Sequence, residues 1–472
     1  MSGGFRKVCV ASCCSAGVLL GLAASAARAE TLADAIGLAY QTNPRLQSQR
    51  ATQRATDETY VQARSGLQPT VSLSAAAIHD DLPSPLIPQI NASGVALSVT
   101  QPLYSGGRVT SLMSAASAGA AAGREGLRGL EQNVLLDVIE AYVDVRRDLQ
   151  SVAIAQENER VLQRQLAEAE ANFQVKTVTR TDVAQSTARL AGAQARLALA
   201  QTQLETSRAH YLTAVGREAG DLAPEPPIGG LLPSTRDQAR ELAERNNPII
   251  RQLDYAEQGA AAQTDAARAD ARPKVSLYAS VGYAGGSFHG GSPFADYGRS
   301  TFVGAVATVP LFSGGRTSSE VRQATERDNA ARINIEVARR QVAQAVSEAW
   351  SGLSGARARL VADEQQAQAA AVARDGVRHE ADVGVRTTLD VLNAEQELRD
   401  AELAVVSARR DQYVAGAALL AAMGALTPAQ FSVDAPLYDP KVNFEKVRKA
   451  GSGVPWEPAV EALDRLGSGT AR

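Results

Sequence analysis

The sequence predicts a mainly α-helical chain with a small transmembrane β part. The unit is duplicated, each copy a β-hairpin set on long coiled-coil helices. Three observations predict this. A nearly constant offset relates the two halves of the chain. Very long heptad-spaced seams run through each half. Each half also holds a pair of alternating segments, each long enough to cross a bilayer at a tilt.

The composition suits such a build. Of 472 residues, 45% are hydrophobic but only 4% are aromatic. An apolar mass of Ala, Val and Leu lets helices approach closely. Net charge is -3 and no basic stripe is present, which argues against nucleic acid as a partner.

Residues 1–29 read as a secretory signal peptide. Arg6 and Lys7 form a charged start, residues 8–27 are small and apolar, and Ala27-Arg28-Ala29 is an A-x-A cleavage site. All three cysteines (Cys9, Cys13, Cys14) lie inside this leader, so the mature chain has no thiol chemistry. Cleavage removes Arg6, Lys7 and Arg28 and no acid, which moves the net charge from -3 to -6. No later run of apolar residues is long enough for a second membrane helix.

The repeat is read from paired markers. Asn43-Pro44 recurs as Asn247-Pro248, and Pro69 recurs as Pro273, both 204 residues on. From there the offset is 208. QPLYSGGR (101–108) answers VPLFSGGR (309–316), Ala141-Tyr142 answers Ala349-Trp350, and Gly216 answers Gly424. The four-residue insertion falls within the hairpins. The first repeat is therefore 30–230 and the second 231–430, with a tail at 431–472 expected to wrap the middle or stay disordered.

Each repeat then reads in the same order. Asn43 caps and Pro44 opens a helix over about 44–66, with its copy at about 248–271. Hairpins follow at about 70–103 and 274–311. Val95, Leu97 and Val99 alternate with small or polar residues, as do Val303, Ala305, Ala307 and Val309. Strands of about 9–11 residues suffice to span a bilayer. Long helices come next, at about 108–172 and 317–381. Val134, Val138, Ala141, Val145 and Val152 form the first seam, which Asp148 interrupts. Val342, Val346, Ala349, Leu353, Ala356 and Leu360 form the second. Returning helices are expected over 181–216 and 387–424.

Lengths dictate how these pieces stack. At about 1.5 Å per residue the long helix spans about 100 Å, the returning helix about 54 Å and the Asn-Pro helix about 35 Å. The two short helices must stack end to end beside the long one. The hairpin then sits at one end of a rod and the turns near 175–181 and 383–389 at the other. Four strands cannot close a barrel alone, and an open sheet edge cannot face lipid. Three chains supply twelve strands, so a homotrimer is the natural closure.

The chemistry of catalysis is missing from the pattern. His79, His210, His289 and His379 are scattered without ligand spacing, and no phosphate loop or nucleophile elbow is present. No enzyme activity, cofactor or metal is expected. Gly106-Gly107 and Gly314-Gly315 read as strand-to-helix corners, with Pro102 and Pro310 ending strand pairing just before them.

The repeated QPLYSGGR and VPLFSGGR, the Asn-Pro helix starts and above all VGVRTTLDVLNAEQEL (383–398) closely resemble the TolC family of outer-membrane efflux proteins. The resemblance covers about residues 31–428. It implies a trimer with a twelve-stranded barrel in outer-membrane lipid and an α-helical periplasmic tunnel. It also implies a role as exit duct for a periplasmic adaptor protein and an inner-membrane pump, either ABC-type or proton-driven, in type I protein secretion or small-molecule efflux. By that resemblance the far tip meets the adaptor through Val383, Gly384, Val385 and Thr387 and through Val175 and Lys176. Arg386 pairs with Asp182 as a periplasmic gate, within or between chains. Asp390 and Asn393 line the lumen entrance. Lys176 stands where the family usually has Gly, Ala381 where the archetype has Tyr, and Asn393 where it has a second Asp. One carboxylate per chain implies weaker cation selection. Thr179-x-x-Asp182 and Thr387-x-x-Asp390 also read as capping boxes, which account for both Asp residues without a gate. The competing reading is a pore-less, adhesive surface coiled coil, which needs neither the hairpins nor the SGGR corners.

Overall fold

The computed structural model describes residues 29–79, 90–288, 292–433, 436–450 and 453–468. The expected leader lies outside them except for Ala29, as do parts of both hairpin loops. The elements run α1 (Leu32–Thr42), α2 (Pro44–Arg64), β1 (Thr70–His79), β2 (Ile90–Tyr104), α3 (Arg108–Gln174) and α4 (Arg180–Val215). They continue as α5 (Arg236–Asn246), α6 (Pro248–Ala269), β3 (Lys274–Phe288), β4 (Gly298–Thr308), α7 (Arg316–Asp382) and α8 (Thr388–Ala422). The tail adds α9 (Pro440–Lys449) and α10 (Glu457–Ser468). The fold is mainly helical, and α3 and α7 each run 67 residues.

The stacking forced by helix length is made by asparagine. Asn43 ends α1 by donating its backbone N–H to Ala39 O at 2.9 Å. Its Oδ1 then caps α2 by accepting from Arg45 N at 2.9 Å. Its Nδ2 donates to Ala214 O, near the end of α4, at 3.2 Å. Asn247 repeats the set: Oδ1 accepts from Ile249 N at 2.9 Å and Nδ2 donates to Ala422 O at 2.9 Å. One side chain thus starts one helix and satisfies an orphan carbonyl of the helix stacked beneath it.

The core sits at this junction. Tyr142, Tyr211, Ile36, Ile139, Val346, Leu419 and Leu420 are buried together there. Each large apolar side chain removed from water contributes about 1.5–3 kcal/mol. Helix α1 had no counterpart in the sequence reading. It carries a capping box between Thr31 and Asp34, and it buries Leu32, Ala35, Ile36, Ala39 and Tyr40. Asp148, which interrupts the apolar seam, is only 3% exposed. Arg147 on its own helix donates to it at 2.7 and 2.9 Å, and Ser207 of α4 also donates. The buried charge is therefore paired and hydrogen-bonded, as burial demands.

The strands form one antiparallel sheet in the order β1-β2-β3-β4. Register separates two faces. Leu73, Leu97 and Val281 lie across from one another in one row, and Val71, Val99, Ala279 and Val303 in the next. On the opposite face Ser72, Ser98 and Ser280 line up and Phe302 of β4 ends the row, with Tyr278 packed against it. Strand β2 runs through Pro102 to Tyr104, with a register irregularity between them. Pro102 therefore marks a bulge and does not end pairing; Pro310 lies beyond the last residue of β4.

The tail departs from expectation. It is not confined to the middle of the rod, and its described residues form two helices. Tyr438 stacks at the equator, where the Arg50 guanidinium lies 4.4 Å from the Tyr40 ring centre and 4.9 Å from that of Tyr438. Helix α9 packs on α2, with Phe444 edge-on to Tyr60 and Asn443 Nδ2 donating to Asp57 Oδ2 at 2.7 Å. Helix α10 reaches the first SGGR corner.

Candidate functional site

The far tip consists of two turns built alike. α3 closes with Lys176 N donating to Phe173 O and Thr177 N to Asn172 O, both at 3.0 Å. α7 closes with Gly384 N donating to Ala381 O and Val385 N to Glu380 O, both at 2.9 Å. Both ends need a left-handed residue, as helix C-termini of this form do. Gly384 has φ 80° and Lys176 φ 62°. The family's glycine position thus keeps its backbone conformation while carrying a Cβ and a positive charge.

The returning helices open on the capping boxes. Thr179 N donates to Asp182 Oδ2 at 2.8 Å, and Thr387 N donates to Asp390 Oδ2 at 3.0 Å. Each threonine hydroxyl completes its box. The hydrogen bonds from the Thr387 backbone and hydroxyl hold the Asp390 carboxyl below its usual range. Within the chain Arg386 does not meet Asp182. Its Nε donates to Glu380 Oε2 at 2.7 Å, and this bond holds the guanidinium above its ordinary value. Asn393 accepts from Arg189 of α4 at 2.8 Å. Arg189 is a residue the sequence reading did not single out; its partner lies 204 positions away and no local spacing betrays it. Val175, Val383 and Val385 are 68%, 74% and 73% exposed, an unusual apolar crown on a helical rod.

Behind the tip, Glu395 of α8 is 1% exposed between Arg374 of α7 at 3.4 Å and Arg399 at 3.7 Å. This buried ion cluster replaces apolar packing in the seam between α7 and α8.

The corners at the opposite end share a motif and differ in surroundings. Gly106 and Gly107 have φ 74° and 86°, and Gly314 and Gly315 have 62° and 82°. A Cβ on Gly107 would lie 2.6 Å from Ser468 N, whereas Gly314 and Gly315 border open space. The first corner is covered by α10. At the second, Leu311 and Phe312 are 93% and 91% exposed.

A four-stranded sheet with apolar rows on one face and a mixed serine and aromatic face on the other, joined through glycine corners to a long helical rod, is the build of a strand-anchored membrane protein with a helical extension. The family model described as "Outer membrane efflux protein" matches residues 35–217 and 239–425. The chain belongs to the outer membrane efflux protein family. It is 34% identical over 433 residues to the outer membrane efflux protein BepC of Brucella suis biovar 1, covering 92% of this chain and 94% of that one. It is 29% identical over 314 residues to the alkaline protease secretion protein AprF of Pseudomonas aeruginosa, covering 66% and 65% of the two chains. The structure of the open-state MtrE outer membrane channel of Neisseria gonorrhoeae superposes with a TM-score of 0.70 at 25% identity, covering 84% of this chain and 91% of that one. The protein is an outer-membrane exit duct for export, with its helical tunnel in the periplasm.

Proposed function

We propose that three copies close a twelve-stranded barrel and a continuous helical tunnel, shut at the tip until a periplasmic adaptor and an inner-membrane pump engage it. The observation that carries this reading is the sheet. β1 and β4 are each paired on one side only, and every residue of β1 is exposed. Unpaired strand edges are intolerable in lipid, so β4 of one chain must pair with β1 of the next. The apolar rows then face lipid and the serine row faces the lumen.

The gate lies at the two tip turns. Arg386 leaves Glu380 for Asp182 of a neighbouring chain when the tip is shut. The exposed valines of both turns, with Gly384, Thr387 and Lys176, form the adaptor contact. Asp390 contributes the one carboxylate per chain to the entrance ring. Asn393 is neutral and already engaged by Arg189, which favours the weaker cation selection expected of that ring. The secretion role in the name of AprF and the efflux role in the name of BepC mark the two kinds of cargo that such a duct serves.

Photo-crosslinking from Val385 in living cells tests the reading. Capture of an adaptor of an ABC exporter assigns protein secretion, and capture of an adaptor of a proton-driven pump assigns solute efflux. No captured adaptor, with the protein folded and present, refutes the tip assignment.

A further inference from the structure

Helix α10 is built inside out. Its buried positions are Glu457, Val460, Asp464 and Gly467, mostly polar or small. Its exposed face carries Ala459, Ala462, Leu463 and Leu466, at helical i, i+3, i+4 and i+7 spacing. Leu463 is 49% exposed, Leu466 70%, and Trp456 just before the helix 50%. A helix in water puts these sets the other way round.

The buried polar set has a reason. Gly107, the N-cap of α3, has no side chain with which to cap it. The Asp464 carboxylate does so from the tail. It accepts from Ser105 N and Ser105 Oγ at 2.7 Å, and from Gly107 N, Thr110 N and Thr110 Oγ1 at 3.2 Å. Arg64, the last residue of α2, binds Glu457 and donates to Arg448 O at 2.7 Å. These contacts fix the roll of α10 about its own axis.

They do not explain the apolar outer face. Its position does. Trp456 Nε1 donates to Gln101 Oε1 at 3.0 Å. Gln101 continues the row of Val95, Leu97 and Val99, which is the apolar face of the sheet. Helix α10 therefore lies on that same face, directly below the apolar strip, at the level where strands become helices. Lys446, Arg448 and Lys449 are exposed on the last turn of α9, next to the end of α2. Apolar surface at barrel level, an indole at its border and cations just below match the order of acyl chain, interface and phosphate.

We propose that α10 is an interfacial foot that inserts its outer face into the phospholipid of the periplasmic leaflet of the outer membrane. Through Asp464 it couples the depth of the barrel to the first barrel-to-tunnel corner. The inference rests on the barrel reading above.

The chain has two tryptophans, Trp350 and Trp456. The full-length protein is reconstituted in phosphatidylethanolamine–phosphatidylglycerol bilayers containing lipid brominated near the glycerol end of its chains. W350F leaves Trp456 as the only indole. W350F/W456F/L466W reports from the outer face of α10, where Leu466 makes no core contact. W350F/W456F/L73W reports from the apolar row of β1. The foot predicts roughly twofold loss of emission for both α10 probes, as for an indole within ~5–10 Å of the headgroup boundary, and protection from aqueous iodide. Quenching by iodide without quenching by lipid overturns the proposal. Silence to both quenchers also overturns it, because a protein surface then covers α10. If L73W itself is not quenched by lipid, the barrel reading falls and the foot with it. If L73W is quenched and the α10 probes are not, only the foot falls.

Discussion

Replacing Asn247 by Asp isolates the bridge between stacked helices from the cap. Aspartate caps a helix as well as asparagine does, so the bond from Ile249 N survives. The donor to Ala422 O does not. A carboxylate oxygen now faces that carbonyl at a site only 6% exposed. The lost hydrogen bond costs about 1 kcal/mol, and leaving buried acceptors opposed costs about 1–3 kcal/mol more. Asn247→Ala loses cap and bridge, each worth about 1 kcal/mol. The assay is native-state hydrogen exchange on the reconstituted protein, read at residues 420–425 and 248–252. A local loss of about 2 kcal/mol accelerates exchange roughly 30-fold. Asn247→Asp should do this at 420–425 at neutral pH. Burial raises the folded-state pKa of the new carboxyl above its unfolded value of about 3.9. The penalty is therefore absent below that unfolded value, where the protonated group donates to Ala422. It grows as pH rises toward the folded-state pKa. Protection of 420–425 equal to the parent at neutral pH would refute the bridging role and leave Asn247 a simple cap.

Four further outcomes are expected. Lys176→Gly should stabilise the first tip turn by about 0.5–1 kcal/mol, and Gly384→Ala should weaken the second by about 1 kcal/mol; slower and faster amide exchange at Thr177 and Val385 are the readouts. Arg386→Ala should raise the resting conductance of the channel in planar bilayers, and unchanged conductance would retire its gate role. Asp390→Asn, which keeps the shape of the cap, should shift the reversal potential in a salt gradient toward anions; a fixed potential removes Asp390 from the selectivity ring. Asp464→Ala should expose the N–H groups of Ser105, Gly107 and Thr110 at a local cost of about 2–4 kcal/mol. Limited proteolysis would then release the tail, and a tail as resistant as the parent's would mean that Asp464 does not fasten it.

What was legible in the sequence was local chemistry written twice. The Asn-Pro starts, the left-handed glycines of the corners and the threonine–aspartate boxes depend on residues within a few positions of one another, and the repeat exposes them. Helix α1 was legible too, since Thr31-x-x-Asp34 precedes apolar residues at helical spacing, but it lies before the first Asn-Pro marker. The remainder depends on partners far along the chain. Asp148 looks like a break in a seam until Ser207 of α4 is placed against it. Asn393 looks free until Arg189 arrives from α4. Arg386 is held within its own turn, where its partner Glu380 lies six residues away. The tail resisted reading because its polar residues face inward to backbone N–H groups that only the folded corner presents.

The two repeats share a motif order but not an environment, and the proposed closure of a ring by three copies accounts for the difference. Helix α3 packs against α2, α4, α6 and α8 of its own chain. Helix α7 leaves Ile333, Val337, Val361 and Val372 exposed by 45–74%, and its corner leaves Leu311 and Phe312 open. In a single chain that apolar surface has no purpose and a cost. In a ring each chain contributes one junction between its own repeats and one between its second repeat and the next chain's first. The first SGGR corner lies inside the chain and is closed by the chain's own tail. In the proposed trimer the second lies at the seam, and the neighbour covers it together with the strand that pairs β4. On that reading a motif duplicated in sequence diverges in structure because only one copy is finished before assembly. On the trimer reading, the exposed residues of the second repeat are the interface that makes the duct.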